Sequence, residues 1–139
     1  MSNNPFTIYN ASAGSGKTYA LAKVYLKIIL ASPQNFRKIL AITFTNKAVN
    51  EMKHRILNSL FEFSKTISMD HAAPLFKDIL NETDYTFEEL PALSKLRLKQ
   101  ILHNYAFFDI STIDKFTHRL IRTFAVSYTH LTLPTKRIV

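Results

Sequence analysis

The octapeptide Ala11-Ser-Ala-Gly-Ser-Gly-Lys-Thr18 contains both glycines of this 139-residue chain. At the average glycine frequency of about 7%, a chain of this length would carry roughly ten. The β-prone run Phe6-Thr-Ile-Tyr9 precedes the octapeptide, and apolar residues at helical spacing follow it from Thr18. The sequence therefore predicts a strand, a glycine-bearing loop and a helix, in that order.

The octapeptide fits the phosphate-loop pattern G-x-x-x-x-G-K-[ST], with Ala11 in the first glycine position. Backbone N–H groups in such a loop face a phosphate, and the following helix directs its positive dipole end toward it. Lys17 would contact the β- and γ-phosphates, and Thr18 would bind the bridging Mg²⁺. This predicts ATP and Mg²⁺ as cofactors, Lys17 and Thr18 as the catalytic residues, Thr18 as the metal ligand, and a nucleotide-binding run of Ala11, Ser12, Ala13, Gly14, Ser15, Gly16, Lys17 and Thr18. The alternative is a strand-to-helix turn with an incidental lysine.

The strand–helix order repeats twice further along the chain. Lys38–Phe44 is apolar on both faces, as buried parallel strands are, and a helical pattern begins at Asn46. The β-prone run Phe107–Ile113 precedes another helical pattern, with Asp114 as its predicted N-cap. The order predicts an α/β fold with a parallel sheet and flanking helices.

The intervening block, residues 64–105, carries no motif. Residues 68–74 and 81–91 have the composition of loops separated by a short helix. Leu93–Tyr105 has the apolar spacing of an amphipathic helix. The sequence predicts a helical insertion here and gives it no chemical role.

Ligands of open α/β sheets bind outside the carboxyl ends of the strands, so the residues after the second strand are candidates for binding. Single-stranded nucleic acid needs phosphate contacts and a ring for stacking. Both are offered by the run Thr43, Phe44, Thr45, Asn46 and Lys47. Alternatively, the threonines are ordinary strand residues, Phe44 belongs to the core and Asn46 caps the next helix.

Charge and composition limit the classes of partner that the chain is expected to bind. Eighteen Lys and Arg against ten Asp and Glu give a net charge of +8, which favours anionic partners such as nucleic acid or acidic lipid, and charge alone does not distinguish the two. The chain lacks cysteine, which predicts a reducing cytoplasmic setting, and no apolar run predicts a membrane partner. The five histidines lack metal-ligand spacing. We interpret four basic residues as solvated charges on helix faces: Arg97, Lys99, Arg119 and Arg122.

Three segments together resemble motifs I, Ia and Ib of UvrD/Rep-type superfamily one DNA helicases. They are the octapeptide 11–18, the run Ile-Leu-Ala-Ile-Thr-Phe-Thr-Asn-Lys-Ala-Val-Asn-Glu-Met-Lys-His-Arg-Ile at 39–56, and Ile-Ser-Thr-Ile-Asp-Lys-Phe at 110–116. The wording Ala-Ser-Ala-Gly and the absence of an upstream glutamine motif are most similar to the branch that contains AddA-like proteins and the exodeoxyribonuclease V beta subunit. The resemblance covers residues 6–126.

The resemblance implies a RecA-like P-loop NTPase fold, of which this chain would be the first half of motor domain 1A. It implies that Lys17 and Thr18 handle ATP and Mg²⁺. It also places single-stranded DNA along Thr43, Phe44, Thr45, Asn46 and Lys47, and along Thr112 and Phe116 of motif Ib. Many members have histidine where this chain has Asp114, and a carboxylate there would repel a phosphate.

The activity implied is that of an ATP-dependent DNA helicase or helicase–nuclease that translocates on and unwinds DNA in recombination and repair. DNA, single-stranded or duplex, and a helicase–nuclease partner subunit would be its partners. The family's downstream Asp-Glu pair and second motor domain have no counterpart in this sequence, so we expect the chain alone to be inactive. Residues 1–126 would form a partial ATP-binding domain with residues 64–105 as its insertion, and residues 127–139, rich in threonine, resemble translated cloning sequence and form a non-native tail.

Two other functions fit the residues. A small P-loop kinase would share the phosphate loop but would need an arginine-bearing lid, for which residues 64–105 show no candidate. A catalytically inert basic fragment would bind nucleic acid through charge alone, and its affinity would fall steeply with salt.

Overall fold

The computed structural model describes residues 15–126 and 137–138, with side chains described for residues 17–125. Five helices and three strands lie in these ranges: α1 (Ser15–Ala31), β1 (Ile39–Thr43), α2 (Asn46–Ser64), α3 (Pro74–Glu82), α4 (Glu89–His103), β2 (Ile110–Thr112), α5 (Ile113–Val126) and β3 (Arg137–Ile138). Short 3-10 turns occupy residues 35–37, 69–71 and 105–107. The predicted α/β fold with a parallel sheet and flanking helices is confirmed for the described residues.

β1 is the central strand and pairs in parallel with β2 on one side and β3 on the other. In the β1–β2 ladder Ala41 lies opposite Ile110 and Thr43 lies opposite Thr112. This register aligns the carboxyl ends of the two strands. The polar residues that follow β1 and β2 therefore emerge at the same edge of the sheet.

One continuous core joins the sheet to α1, α2, α3 and α4. The apolar stripe of α1 is buried through Tyr25 and Ile29, as its helical spacing predicts, and also through Leu26. α2 packs extensively against α4. Phe76 of α3 is fully buried between the rings of Phe63 and Phe87, which it meets at centroid distances of 5.4 and 5.7 Å. The block without motifs thus supplies one wall of the core.

Two threonines begin the helices that follow the strands. The Thr45 hydroxyl accepts a hydrogen bond from the Ala48 N–H at 3.0 Å and so caps α2. The Thr112 hydroxyl accepts one from the Lys115 N–H at 3.2 Å, at the start of α5. The predicted cap at Asp114 is wrong, because Asp114 lies inside the first turn of α5. The alternative cap at Asn46 is also wrong, because Asn46 is the first helical residue of α2.

The helices of the insertion extend into segments that we predicted as loops. α4 begins at Glu89, four residues before the predicted start at Leu93. Pro91 is compatible with this start because it lies in the first turn, where a backbone N–H has no intrahelical partner. α3 likewise continues to Glu82 and includes Asn81.

Several predictions concern residues outside the described ranges. They include the first strand at 6–9 and the phosphate-loop residues Ala11, Ser12, Ala13 and Gly14. Of the predicted tail, residues 127–136 and 139 also lie outside these ranges, whereas the backbone of residues 137–138 forms β3 beside β1. The assignment of residues 127–139 as a non-native tail stays a prediction.

Candidate functional site

The end of the predicted phosphate loop lies beside the end of β1. Lys17 is exposed in the first turn of α1, and the next residue, Thr18, is half-buried. Both line a cleft of about 270 Å³ together with Thr43 and Phe44. Ser15 and Gly16 form the first two positions of α1. The structure therefore brings together one predicted nucleotide-binding pair and two residues of the predicted DNA-binding run.

The side chains after β1 are open to solvent. Phe44 is 76% exposed, so the alternative that it belongs to the core is wrong. Thr45, Asn46 and Lys47 are also exposed. The Thr43 hydroxyl donates a long hydrogen bond of 3.4 Å to the carbonyl oxygen of Thr45, across Phe44. An exposed ring beside short polar groups and a lysine is the combination that a stacked base and its phosphate require.

The side chains after β2 are less open. Thr112 is only 6% exposed, and its hydroxyl is engaged in the cap of α5. Phe116, one turn into α5, is half-buried. Asp114 and Lys115 of the same turn are exposed. The two predicted DNA-binding segments thus differ in exposure, although their strands lie side by side, and their DNA contacts stay predictions.

Glu51 is a cleft residue that sequence reasoning missed. It lies on α2 one turn after Ala48, and both line the cleft that contains Lys17 and Thr18. The signal was available, because residues three apart on a helix share a face. The helical pattern that begins at Asn46 predicts only the buried face of α2 and gives this carboxylate no role.

A larger cleft of about 890 Å³ begins at Thr18 and Tyr19 and runs along one stripe of α2. Its lining carries charges of both signs, including Glu51 and Arg55, over an apolar floor to which Phe63 contributes. His54 lies in this stripe and hydrogen-bonds Asn58 at 2.9 Å. Thr18 and Glu51 line both clefts, so the two spaces adjoin at the start of α1.

Tyr19 is tied to the insertion. Its hydroxyl donates a short hydrogen bond to a carboxylate oxygen of Asp78 on α3. Burial, together with this bond and the charge of Asp78, raises the pKa of Tyr19 to about 12. Two cations of α1 face the same helix, since Lys23 and Lys27 lie 3.0 and 3.8 Å from the carboxylate of Glu82. α1 is therefore joined to α3 by polar contacts from its second turn to its fourth.

Arg97 contradicts our interpretation of it as a solvated helix charge. It is 5% exposed and donates from Nε to the carbonyl oxygen of Ile29 at 2.8 Å. Its Nη2 donates to Leu30 at 3.2 Å and its Nη1 to Gln100 at 3.1 Å. Burial lowers the pKa of this guanidinium. The sequence gives no signal for this contact, because its partners are backbone atoms 68 and 67 residues away.

The other cations and the histidines have simpler surroundings. Arg119 forms an ion pair with Asp109 at 2.8 Å, and this hydrogen-bonded contact raises the pKa of Arg119. Lys99 and Arg122 are partly or fully exposed, as predicted. Across residues 15–126 no three acidic, histidine or cysteine side chains gather closely enough to hold a metal. In the same range no helix is both long and apolar enough to cross a membrane.

Comparison with known proteins agrees with the resemblance of the three sequence motifs. Residues 2–135 match the family described as UvrD/REP helicase N-terminal domain. The chain is 30% identical over 136 residues to RecBCD enzyme subunit RecB of Haemophilus influenzae, a match that covers 88% of this chain and 11% of that protein. It is 32% identical over 117 residues to one subunit of the ATP-dependent helicase/nuclease of Lactiplantibacillus plantarum, covering 84% of this chain and 8% of that protein. A third relative, subunit RecB of Chlamydia trachomatis, is 35% identical over 92 residues, covering 66% of this chain and 8% of that protein. The chain thus spans about a tenth of the length of these relatives.

Proposed function

We propose, on the premise that the chain belongs to the UvrD/REP helicase N-terminal domain family, that it is the N-terminal ATP- and single-stranded-DNA-binding part of a DNA helicase or helicase–nuclease. The intact protein would translocate on DNA and unwind it during recombination and repair in the cytoplasm. It would have a RecA-like P-loop fold, and the names of the relatives suggest that it works with a partner subunit. Hydrolysis and unwinding are proposed for the intact protein only.

The proposal rests on one observation, the cleft shared by Lys17, Thr18, Thr43 and Phe44. Lys17 is exposed at the positive end of the α1 dipole, where an anion is stabilised. Thr18 lines the cleft, and its hydroxyl is a suitable oxygen ligand for Mg²⁺. These residues fit the β- and γ-phosphates and the metal ion in the roles that their motif predicts.

DNA would lie along the adjacent surface. Phe44 offers a ring for a base, and Lys47, three residues further, offers a charge for a phosphate. Thr43, Thr45 and Asn46 would donate hydrogen bonds to the same strand. Thr112 and Phe116 would act at the neighbouring strand end, where Thr112 supports α5 through its cap. Because the DNA surface borders the nucleotide cleft, a ligand bound at one site would change the affinity of the other site. ATP supplies the free energy for movement when it is bound and hydrolysed between the two motor domains of the intact protein.

The decisive experiment compares Lys17→Ala with Lys27→Ala. Both lysines lie on α1, but Lys27 faces Glu82 and lies outside the cleft. Binding of a fluorescent ATP analogue with Mg²⁺ should weaken in Lys17→Ala by about ten- to 100-fold, the equivalent of a hydrogen bond to a charged group. Lys27→Ala should bind like the wild-type chain. Equal affinity in all three proteins would contradict the proposal.

The same proteins separate the alternatives. DNA binding that falls with salt and ignores both ATP and Lys17→Ala would support the inert basic fragment. Transfer of phosphate to a small acceptor would support the kinase. In a longer protein that includes the remaining motor domains, the helicase proposal expects ATP hydrolysis that single-stranded DNA stimulates and Lys17→Ala abolishes.

A further inference from the structure

We infer that the insertion, residues 64–105, positions the phosphate-binding end of α1, with Tyr19 as the positioning residue at that end and Arg97 as the anchor at the other. This inference rests on the proposed function, because it concerns the same nucleotide site. Neither residue touches the phosphates. Each acts through the helix that carries Lys17 and Thr18.

The first contact lies beside the site. Tyr19 directly follows Thr18, and its hydroxyl is bonded to the carboxylate of Asp78 on α3. A tyrosine ring held at both its Cα and its hydroxyl resists rotation of the helix about its own axis. Since Thr18 is the neighbouring residue, the direction of the Thr18 hydroxyl depends on that rotation. Tyr19 therefore fixes where a metal-binding oxygen points.

The second contact lies at the opposite end of α1. The carbonyl oxygens of Ile29 and Leu30 belong to the last turn of the helix, where carbonyl groups have no intrahelical partner. The buried guanidinium of Arg97 satisfies both, and a cation at this end also faces the negative pole of the helix dipole. Asn35 completes the arrangement by donating to the Ile28 carbonyl oxygen at 2.7 Å. Arg97 thereby fixes the position of α1 along its axis.

The contacts between these ends are weaker. The ion pairs of Lys23 and Lys27 with Glu82 are a quarter to two-fifths exposed, and exposed pairs contribute little to stability. The two hydrogen-bonded ends therefore carry the positioning. A site whose binding groups are held in place before the ligand arrives loses less entropy on binding. Loosening either end should weaken nucleotide binding, whereas DNA binding after β1 should be unaffected because β1 and α2 carry those residues.

The test uses Tyr19→Phe, which removes one hydroxyl and keeps the ring. We expect the dissociation constant for the Mg²⁺-bound fluorescent ATP analogue to rise about two- to tenfold, the range of one ordinary hydrogen bond. The dissociation constant for single-stranded DNA should stay unchanged. Asp78→Asn keeps an oxygen acceptor and should bind nearly as the wild type does, whereas Asp78→Ala should match Tyr19→Phe. The double variant Tyr19→Phe/Asp78→Ala should lose no more than either single variant.

Arg97→Lys and Ile101→Val complete the design at the far end of α1. Lysine retains a cation and should preserve more nucleotide affinity than Arg97→Gln does. Ile101 is a fully buried residue of the same helix α4, so Ile101→Val destabilises the core while leaving both anchors intact. Its nucleotide affinity should equal that of the wild-type chain.

The inference is overturned if Tyr19→Phe lowers the thermal stability but leaves nucleotide affinity unchanged, or if nucleotide and DNA affinities fall together. If the wild-type chain does not bind the analogue, the proposed function fails, and hydrogen exchange of the α1 amides still tests the anchors. Faster exchange in the second turn of α1, where the amides are hydrogen-bonded within the helix, in Tyr19→Phe relative to Ile101→Val would support positioning. Equal exchange in these two variants would overturn it.

Discussion

The sheet edge after β1 and the insertion use their polar and aromatic residues in opposite ways. After β1, Phe44 is 76% exposed and Lys47 lies exposed on the surface. In the insertion, Phe76 is fully buried, and Arg97 is 5% exposed with its donors bonded to α1. The segment with a recognisable motif leaves its side chains available to a ligand. The segment without a motif uses its side chains to pack the core and to bond α1.

The largest effect that this contrast predicts is on stability. Phe76→Ala removes a ring packed between two others, so its free energy of unfolding should fall by about 3–5 kcal/mol. Phe44→Ala should change the same quantity by less than about 0.5 kcal/mol, because its ring is exposed. Urea unfolding of both variants measures the difference. Comparable losses would mean that Phe44 is packed and that the contrast is false.

The second effect is on DNA affinity. Phe44→Ala, which should change stability little, should have a large effect on this affinity. Loss of a stacking ring costs about 1–3 kcal/mol per base, so Phe44→Ala should weaken single-stranded DNA binding roughly five- to 150-fold at fixed salt. Fluorescence anisotropy with a labelled oligonucleotide measures this affinity.

Phe61→Ala is the matched control. Phe61 is a 48% exposed ring of α2 with Lys65 above it at 4.2 Å, so it offers the same chemistry away from the strand end. Its replacement should leave DNA affinity unchanged. If both variants weaken binding equally, general charge and apolar surface would explain it, and the strand end would have no special role.

The sequence predicted the elements in which local pattern and burial agree. The helical spacing of Tyr25 and Ile29 identified α1, and the apolar run within Lys38–Phe44 identified β1. The rule that parallel strands end at one edge predicted that the residues after β1 and β2 share an edge, and the pairing of Thr43 with Thr112 agrees with it. The meeting of Thr18 with Phe44 in one cleft followed from the same rule.

What the sequence could not predict depends on partners distant along the chain. Arg97 has the sequence context of a solvated cation, because no residue close to it in sequence indicates that it bonds two carbonyl groups of α1. Tyr19 likewise gives no sign of Asp78, 59 residues away. The start of α4 was misplaced because Pro91 was read as a loop signal, although the first turn of a helix accepts proline.

The third effect concerns Thr45, which is exposed like Phe44 but also stabilises a helix, as residues of the insertion do. Its hydroxyl caps α2, so Thr45→Ala should lower the free energy of unfolding by about 1 kcal/mol. Thr45→Ser keeps the hydroxyl and should preserve both the cap and DNA binding. Urea unfolding and anisotropy on the two variants separate these roles. Unchanged stability in Thr45→Ala would show that the cap is not used, and weaker DNA binding in Thr45→Ser would show that the methyl group matters.

The smallest effect is a pH dependence that arises from the burial of Tyr19 and from its contact with Asp78. The pKa of Tyr19 is raised from the ordinary 10.0 to about 12, so the folded chain holds this proton more tightly than the unfolded chain does. The resulting stabilisation is complete below pH 10 and is lost as the pH rises through 12. The stability of the wild type relative to Tyr19→Phe should therefore be constant up to pH 10 and fall steadily as the pH rises from 10 to 12. Other pH-dependent contributions are common to both proteins and cancel in the difference. Parallel curves from pH 8 to 12 would mean that the pKa of Tyr19 is not raised, and the bond between its hydroxyl and Asp78 would then lose this support.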